Sequence, residues 1–176
     1  MITQAACAGL MLLLASARAE AQGSGAGVAS AAADTWIFSE TQSPLDYAPV
    51  TIASAWSNAD AEGRAMQLSI QCRRGRTDLV ILSPALTDRV EQARASYAVN
   101  QEQPIPLASS LAPAGTGIAI KGDVVRLLTS LPPRGEVAFH VAQPQGVALD
   151  GHYALSAFGT VLTRLAAPCK WSLRNP

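Results

Sequence analysis

An excess of charge of either sign is missing from this chain. Thirteen basic and thirteen acidic side chains cancel over 176 residues, so no net field draws it to nucleic acid or to an anionic membrane surface. Aromatic residues are few, with three each of Trp, Tyr and Phe. Trp36, Trp56 and Trp171 are therefore expected to serve as core and edge packing at strand ends, not as a ligand platform. Histidine is scarcer still, represented only by His140 and His152. Neither His-x-x-His nor Cys-x-x-Cys spacing occurs, which leaves no metal-ligand pattern. A Gly-x-Ser-x-Gly elbow is lacking, and "GTGIAIKGD" fits neither the phosphate-loop nor the dinucleotide pattern. The residues thus give no catalytic site, no metal site and no cofactor.

What is present begins with "MITQAACAGLMLLLASARAEAQ". Its apolar run, from about Ala5 to Ala15, is too short to span a bilayer, which takes roughly 20 apolar residues. Two small-x-small sites follow, so residues 1–21 read as an export signal cleaved after Ala19 or Ala21. The terminal amine is its sole positive end. Cys7 lies near the start of the segment and would leave with it. Taking 21 residues from 176 leaves 155, and the loss of Arg18 and Glu20 keeps the mature chain neutral. No stable membrane insertion is expected after cleavage. The cysteines that remain, Cys72 and Cys169, would sit in an oxidising compartment, where two thiols usually pair. Such a bridge would close a loop of about 97 residues, worth on the order of 4 to 5 kcal/mol in the chain-entropy model.

Residues 22–35, containing "GSGAGVASAAAD", hold nothing that anchors a core and read as a flexible linker. A single β-rich domain is expected over residues 36–176. In "VTIASAW", Val50, Ile52 and Trp56 share a face. In "MQLSIQC", Met66, Leu68, Ile70 and Cys72 share one, which places Cys72 on the core side. "TDLVIL" follows "RRGR", where Gly75 can take the positive φ of a short hairpin turn. "SYAVN", "GIAIKG", "GEVAFHV" and "GHYALSAF" read as further strands, and "SPALTDRVEQARA" fits a helix and a loop equally.

Two segments change period. "GDVVRLLTSLPP" has Asp123 as N-cap, with Val124, Leu127, Leu128 and Leu131 at helical spacing before a Pro-Pro stop. "GTVLTRLAAPC" places Val161, Leu162, Leu165 and Ala166 on one stripe, with Pro168 ending the helix just before Cys169. The expected architecture is mainly β: one β-sandwich or open barrel of about seven strands with two short helices. A Cys72–Cys169 disulfide would pin the C-terminal helix.

Two surface features are candidate binding elements. "SPLDYAP" is a proline-bracketed turn that brings Asp46 and Tyr47 toward solvent. Arg73, Arg74 and Arg76 mark the hairpin tip, which reads as a solvated edge; as an anion site it would take a teichoic, phospholipid or peptidoglycan anion. Adjacent arginines would lower the Cys72 pKa, but its core-facing phase and available partner favour a structural thiol. His140 falls opposite the Val137, Phe139 and Val141 face, and His152 lies in the turn-like "LDGHY". A triad or metal site would need both histidines with Asp150 or Asp123 in one cleft, and a surface strand histidine plus a turn histidine is the simpler reading.

The order of these features, Trp36 then Ser43 to Asp46, then "CRRGRTDL", then "AAPCKW", resembles the VasI/TagO family of periplasmic proteins associated with type VI secretion. The middle portion, "GDVVRLLTSLPPRGEVAFHV", resembles small exported alphaproteobacterial proteins of unassigned function. The resemblance implies a non-enzymatic accessory protein of the cell envelope, with no cofactor and no catalytic residue to carry over. Its partner would be an envelope or secretion-system protein. Two other functions fit the chain: a periplasmic inhibitor of a cell-wall hydrolase, presenting Ser43 to Pro49 or the arginine tip, and a cell-wall hydrolase working through His140, His152 or Asp150.

Overall fold

A computed structural model describes residues 35–44, 46–58, 64–86, 92–112, 117–144 and 148–171. The expected signal and nearly all of the expected linker lie outside these residues, as does the middle of "SPALTDRVEQARA". The described chain is mainly β, in two antiparallel sheets with two helices. The first sheet contains β1 (Ile37–Gln42), β2 (Pro49–Trp56), β3 (Gln67–Arg73), β4 (Arg76–Leu82), β7 (Ser109–Leu111) and β8 (Ile118–Ile120). Its strand order is β1-β2-β3-β4-β8-β7. The second contains β5 (Arg94–Val99), β6 (Ile105–Leu107), β9 (Glu136–Ala142) and β10 (Leu149–Ala154), in the order β10-β9-β5-β6. Helix α1 is Val124–Ser130 and helix α2 is Phe158–Cys169.

Alternation builds the core as the sequence suggests. Leu68, Ile70 and Cys72 of β3 and Leu79 and Ile81 of β4 point inward from the first sheet, and Val137, Phe139, Val141 and Tyr153 meet them from the second. Tyr97, Phe139 and Tyr153 contact one another in sequence, the first pair tilted and the second edge-on, with centroids 6.3 and 6.1 Å apart. The Tyr153 hydroxyl donates to the Met66 carbonyl at 2.9 Å, which joins the sheets by a buried polar contact. Burial pushes that phenol far up, so it remains a donor.

The helices also follow their periodicity. Asp123 caps α1 by accepting from the Arg126 N–H at 2.9 Å. Helix α2 buries Phe158, Val161, Leu165 and Cys169, a stripe that packs onto β2 and β3. The Cys72–Cys169 disulfide pins its C-terminal end, with Cα atoms 5.2 Å apart.

Val50, Ile52 and Trp56 share a face, as the alternation indicates, and it is the outer one; Ala53 and Ala55 take the inner face, on the side where α2 packs against β2. Three sequence readings need correction. Pro168 lies inside the last turn of α2 and does not end it. There it forfeits one hydrogen bond, and the stop is Lys170 at φ 57°. Trp171 N–H returns to the Ala166 carbonyl and Lys170 N–H to Ala167, closing a Schellman-type cap. His152 is mid-strand in β10 and not in a turn. Gly151 misled, because it faces the core, where a Cβ would come within 2.6 Å of Met66 Cε. Finally, β1, β6 and β7 add three strands whose short, exposed, polar or proline-containing sequences carry no clear alternation.

Candidate functional site

The two candidate binding elements converge. Register sets this: Val50 pairs with Arg73, so the loop that leads into β2 ends beside the β3–β4 hairpin tip. The loop is closed on itself by Ser43 N–H to the Ala48 carbonyl (2.9 Å) and Tyr47 N–H to the Ser43 carbonyl (2.8 Å). Arg74 then bridges the elements through Asp46, Nη2 to Oδ2 at 3.1 Å, and Arg73 donates to the buried Ser43 hydroxyl at 3.3 Å. Arg76 turns away to Asp78 at 3.3 Å. The Asp46 carboxyl is held below the usual carboxylate range, first by a hydrogen bond from Ser43, then by the Ala48 N–H and the Arg74 and Arg73 charges, which together outweigh its desolvation.

A third element joins them. Lys170, at the end of α2, lays its side chain over Gly75, so a Cβ there would sit 3.6 Å from Lys170 Cδ. Between them is a cavity of about 380 Å³ lined by Pro49, Thr51, Arg74, Gly75, Pro168 and Lys170. Behind it the disulfide and the Trp171 indole, which donates to Thr77 Oγ1 at 2.6 Å, fasten the helix end to the hairpin. The tip thus collects four cations, Arg73, Arg74, Arg76 and Lys170, against the carboxylates of Asp46 and Asp78. Tyr47, on the loop two residues before Pro49, is 78% exposed.

Backbone strain marks the same place. Among the described residues, the non-glycine residues with left-handed φ are Tyr47 (52°), Arg74 (52°), Asn100 (49°), Gln101 (64°) and Lys170 (57°). Each costs about 1 kcal/mol or more relative to glycine. Three of the five belong to the tip.

The second sheet assembles the other residues singled out in the sequence. His140 lies between Ser96 and Asp150 in one cross-strand row, and His152 stands one row on, opposite Ala138. His140 Nδ1 meets Asp150 Oδ1 at 2.5 Å, and His152 Nδ1 meets Glu136 Oε1 at 2.8 Å. Both histidines line a shallow cavity of about 250 Å³, walled by Asn100, Gln101 and Glu102. The structure therefore gathers both histidines and Asp150 on one face, where the sequence spacing alone placed them apart. Asp123 is elsewhere, capping α1. Sequence reasoning missed Glu136 and Ser96; only the register of the β9–β10 and β5–β9 pairs reveals them. Chemically the row resembles an oriented base, yet Ser96 makes no hydrogen bond to His140 among the described contacts, so no nucleophile is engaged.

The tryptophans form no platform. Trp36 packs edge-on against Phe158 with centroids 5.0 Å apart, Trp171 braces Thr77, and Trp56 ends β2. Among the described residues no helix is long and apolar enough to cross a membrane. Compared with protein families, curated proteins and solved structures, the chain matches none.

Proposed function

We propose that this is an exported accessory or binding protein of the cell envelope, associated with type VI secretion, that acts by protein contact through the tip built from Ser43 to Pro49, Arg73 to Arg76 and Lys170. One observation carries the reading: three strained non-glycine residues, Tyr47, Arg74 and Lys170, lie on three different elements that converge at the tip, where Arg74 and Lys170 line one cavity. Glycine would cost less at each position, so selection for stability alone does not account for them. The disulfide supports export, since structural disulfides persist in oxidising compartments. The partner surface would be acidic with an apolar anchor, to match the surplus of two cations and Tyr47.

The exposed Tyr47 on a self-bonded loop also favours a second reading, an inhibitor that inserts this loop into a cell-wall hydrolase. Photocrosslinking separates the two. A photoreactive residue at position 47 should give a covalent adduct in the native envelope, and Arg74→Glu should abolish it. An adduct with a secretion component supports the first reading, and one with a muramidase whose activity falls supports the second. No adduct from position 47, with one from position 56, would defeat both.

A further inference from the structure

The outer face of the second sheet holds a constellation that the tip does not use. The chain has only two histidines. They are twelve residues apart, yet the β9–β10 register makes them diagonal neighbours on one face, because His140 pairs with Asp150 and His152 lies two residues beyond. Diagonal side chains on an antiparallel pair stand roughly 7 to 8 Å apart at the backbone, within reach of one another for rings as long as imidazole.

Each ring is held in the same way. Asp150 takes Nδ1 of His140, and Glu136 takes Nδ1 of His152. An ionised carboxylate only accepts hydrogen bonds, so Nδ1 carries the proton and the neutral ring keeps its lone pair on Nε2. A carboxylate on one ring nitrogen in this way fixes the orientation in which the other can meet a metal. The rings remain reachable, with side-chain exposures of 33% for His140 and 52% for His152.

The surroundings favour a cation. Among the described residues, the shared cavity is lined by Glu102 and Glu136 and by no lysine or arginine. Arg94, the nearest cation along β5, pairs with Ala142 one row past His140 and lies outside the lining. The floor is small, formed by Ala98 and Ala138, which leaves room above it. The wall is fixed at a cost in strain. Asn100 and Gln101 both adopt left-handed φ, and Asn100 is clamped to Glu136 in both directions, donating its N–H to the carbonyl and accepting from the Glu136 N–H at its Oδ1, each at 3.0 Å. Gly135 permits this approach, since a Cβ there would overlap the Asn100 amide.

We propose that His140 and His152 form a two-imidazole site for a divalent transition-metal ion of the zinc, nickel and copper class, bound through the two Nε2 atoms. Among the described residues no three His, Cys, Asp or Glu side chains converge on one point, so water completes the coordination. The site is open and exchangeable, and borderline nitrogen ligands select this class over calcium or magnesium.

The full chain, prepared without a polyhistidine tag, is titrated with Zn(II) while long-range ¹⁵N correlations of the imidazoles are recorded. Two ring systems report, and both Nε2 signals should shift on one common saturation curve. His140→Ala and His152→Ala should each weaken binding by roughly 10-fold or more, since half the nitrogen donors are lost. Asp150→Asn and Glu136→Gln should weaken it by about 10- to 100-fold while both rings still respond. Cu(II) bound to the wild type should show two equatorial imidazole nitrogens by pulsed EPR. Separate saturation curves for the two rings, one nitrogen in place of two, or no shift at millimolar Zn(II) would each overturn the proposal. If an alanine variant fails to fold, the wild-type curves and nitrogen count still decide it.

Discussion

Asp46 shows how one residue links the tip to pH. Its carboxylate accepts from Ser43 and from the Ala48 N–H, and lies beside Arg74 and Arg73, so its pKa falls below the ordinary 3.8. A depressed carboxyl stabilises the fold fully above that ordinary value and loses its contribution as pH drops through the lower, folded-state value. Asp46→Asn keeps the acceptor for Ala48 but removes the charge. Thermal melts should therefore place the variant below the wild type at pH 7, with the gap closing as the pH falls through the lowered, folded-state value. A gap that stays constant with pH would mean that hydrogen-bond geometry, not charge, sets the contribution. The residue is exposed enough that solvent screens it, so the shift should be small.

Among the elements, the end of α2 gives the sharpest conflict between stability and use. Its cap places Lys170 at φ 57°, where glycine is the unstrained choice. Lys170→Gly should raise stability by roughly 1 kcal/mol in urea unfolding, while the same variant weakens photocrosslinking from position 47. If stability falls instead, the aliphatic stem of Lys170 over Gly75 is worth more than the strain. Such positions also explain what could be read from the chain. The β3–β4 hairpin was legible because its alternation is strict and "RRGR" supplies its turn; Arg74 and Gly75 take φ of 52° and 76°, as a tight hairpin requires. Helix α1 was legible from its cap and spacing. The outward face of β2 was not, because Ala53 and Ala55 are buried by a helix more than 100 residues later, and alternation says which residues share a face without saying which face is inside. The tip's two loops were each visible, but their meeting depends on the pairing of Val50 with Arg73. For the histidines, "DG" signalled a turn, whereas Gly151 serves the core.

At the scale of the whole molecule, one hydrophobic cluster takes residues from both sheets and both helices. Among the described residues the buried polar side chains are Ser43, Ser57 and Ser69, which form no seam through it, so the sheets should unfold together. The disulfide acts on this unit from its ends: Cys72 and Cys169 are 97 residues apart, and every strand from β4 to β10 lies between them. Their sulfurs are buried, at 2% and 1% residue exposure. Replacing both by alanine releases the long loop in the unfolded chain, which should lower stability by about 4 kcal/mol, a large part of the roughly 5 to 15 kcal/mol typical of a domain. Urea unfolding should remain a single transition, at a lower midpoint and with a steeper slope because the released chain exposes more surface. A second transition would show that the sheets hold separate cores. The bond also ties the hairpin tip to the α2 cap, so the effect should not be uniform. In native-state amide exchange, residues 73–76 and 169–171 should lose protection in the double variant before β9 and β10 do, because the latter remain paired and packed on the common core whether or not the staple is present.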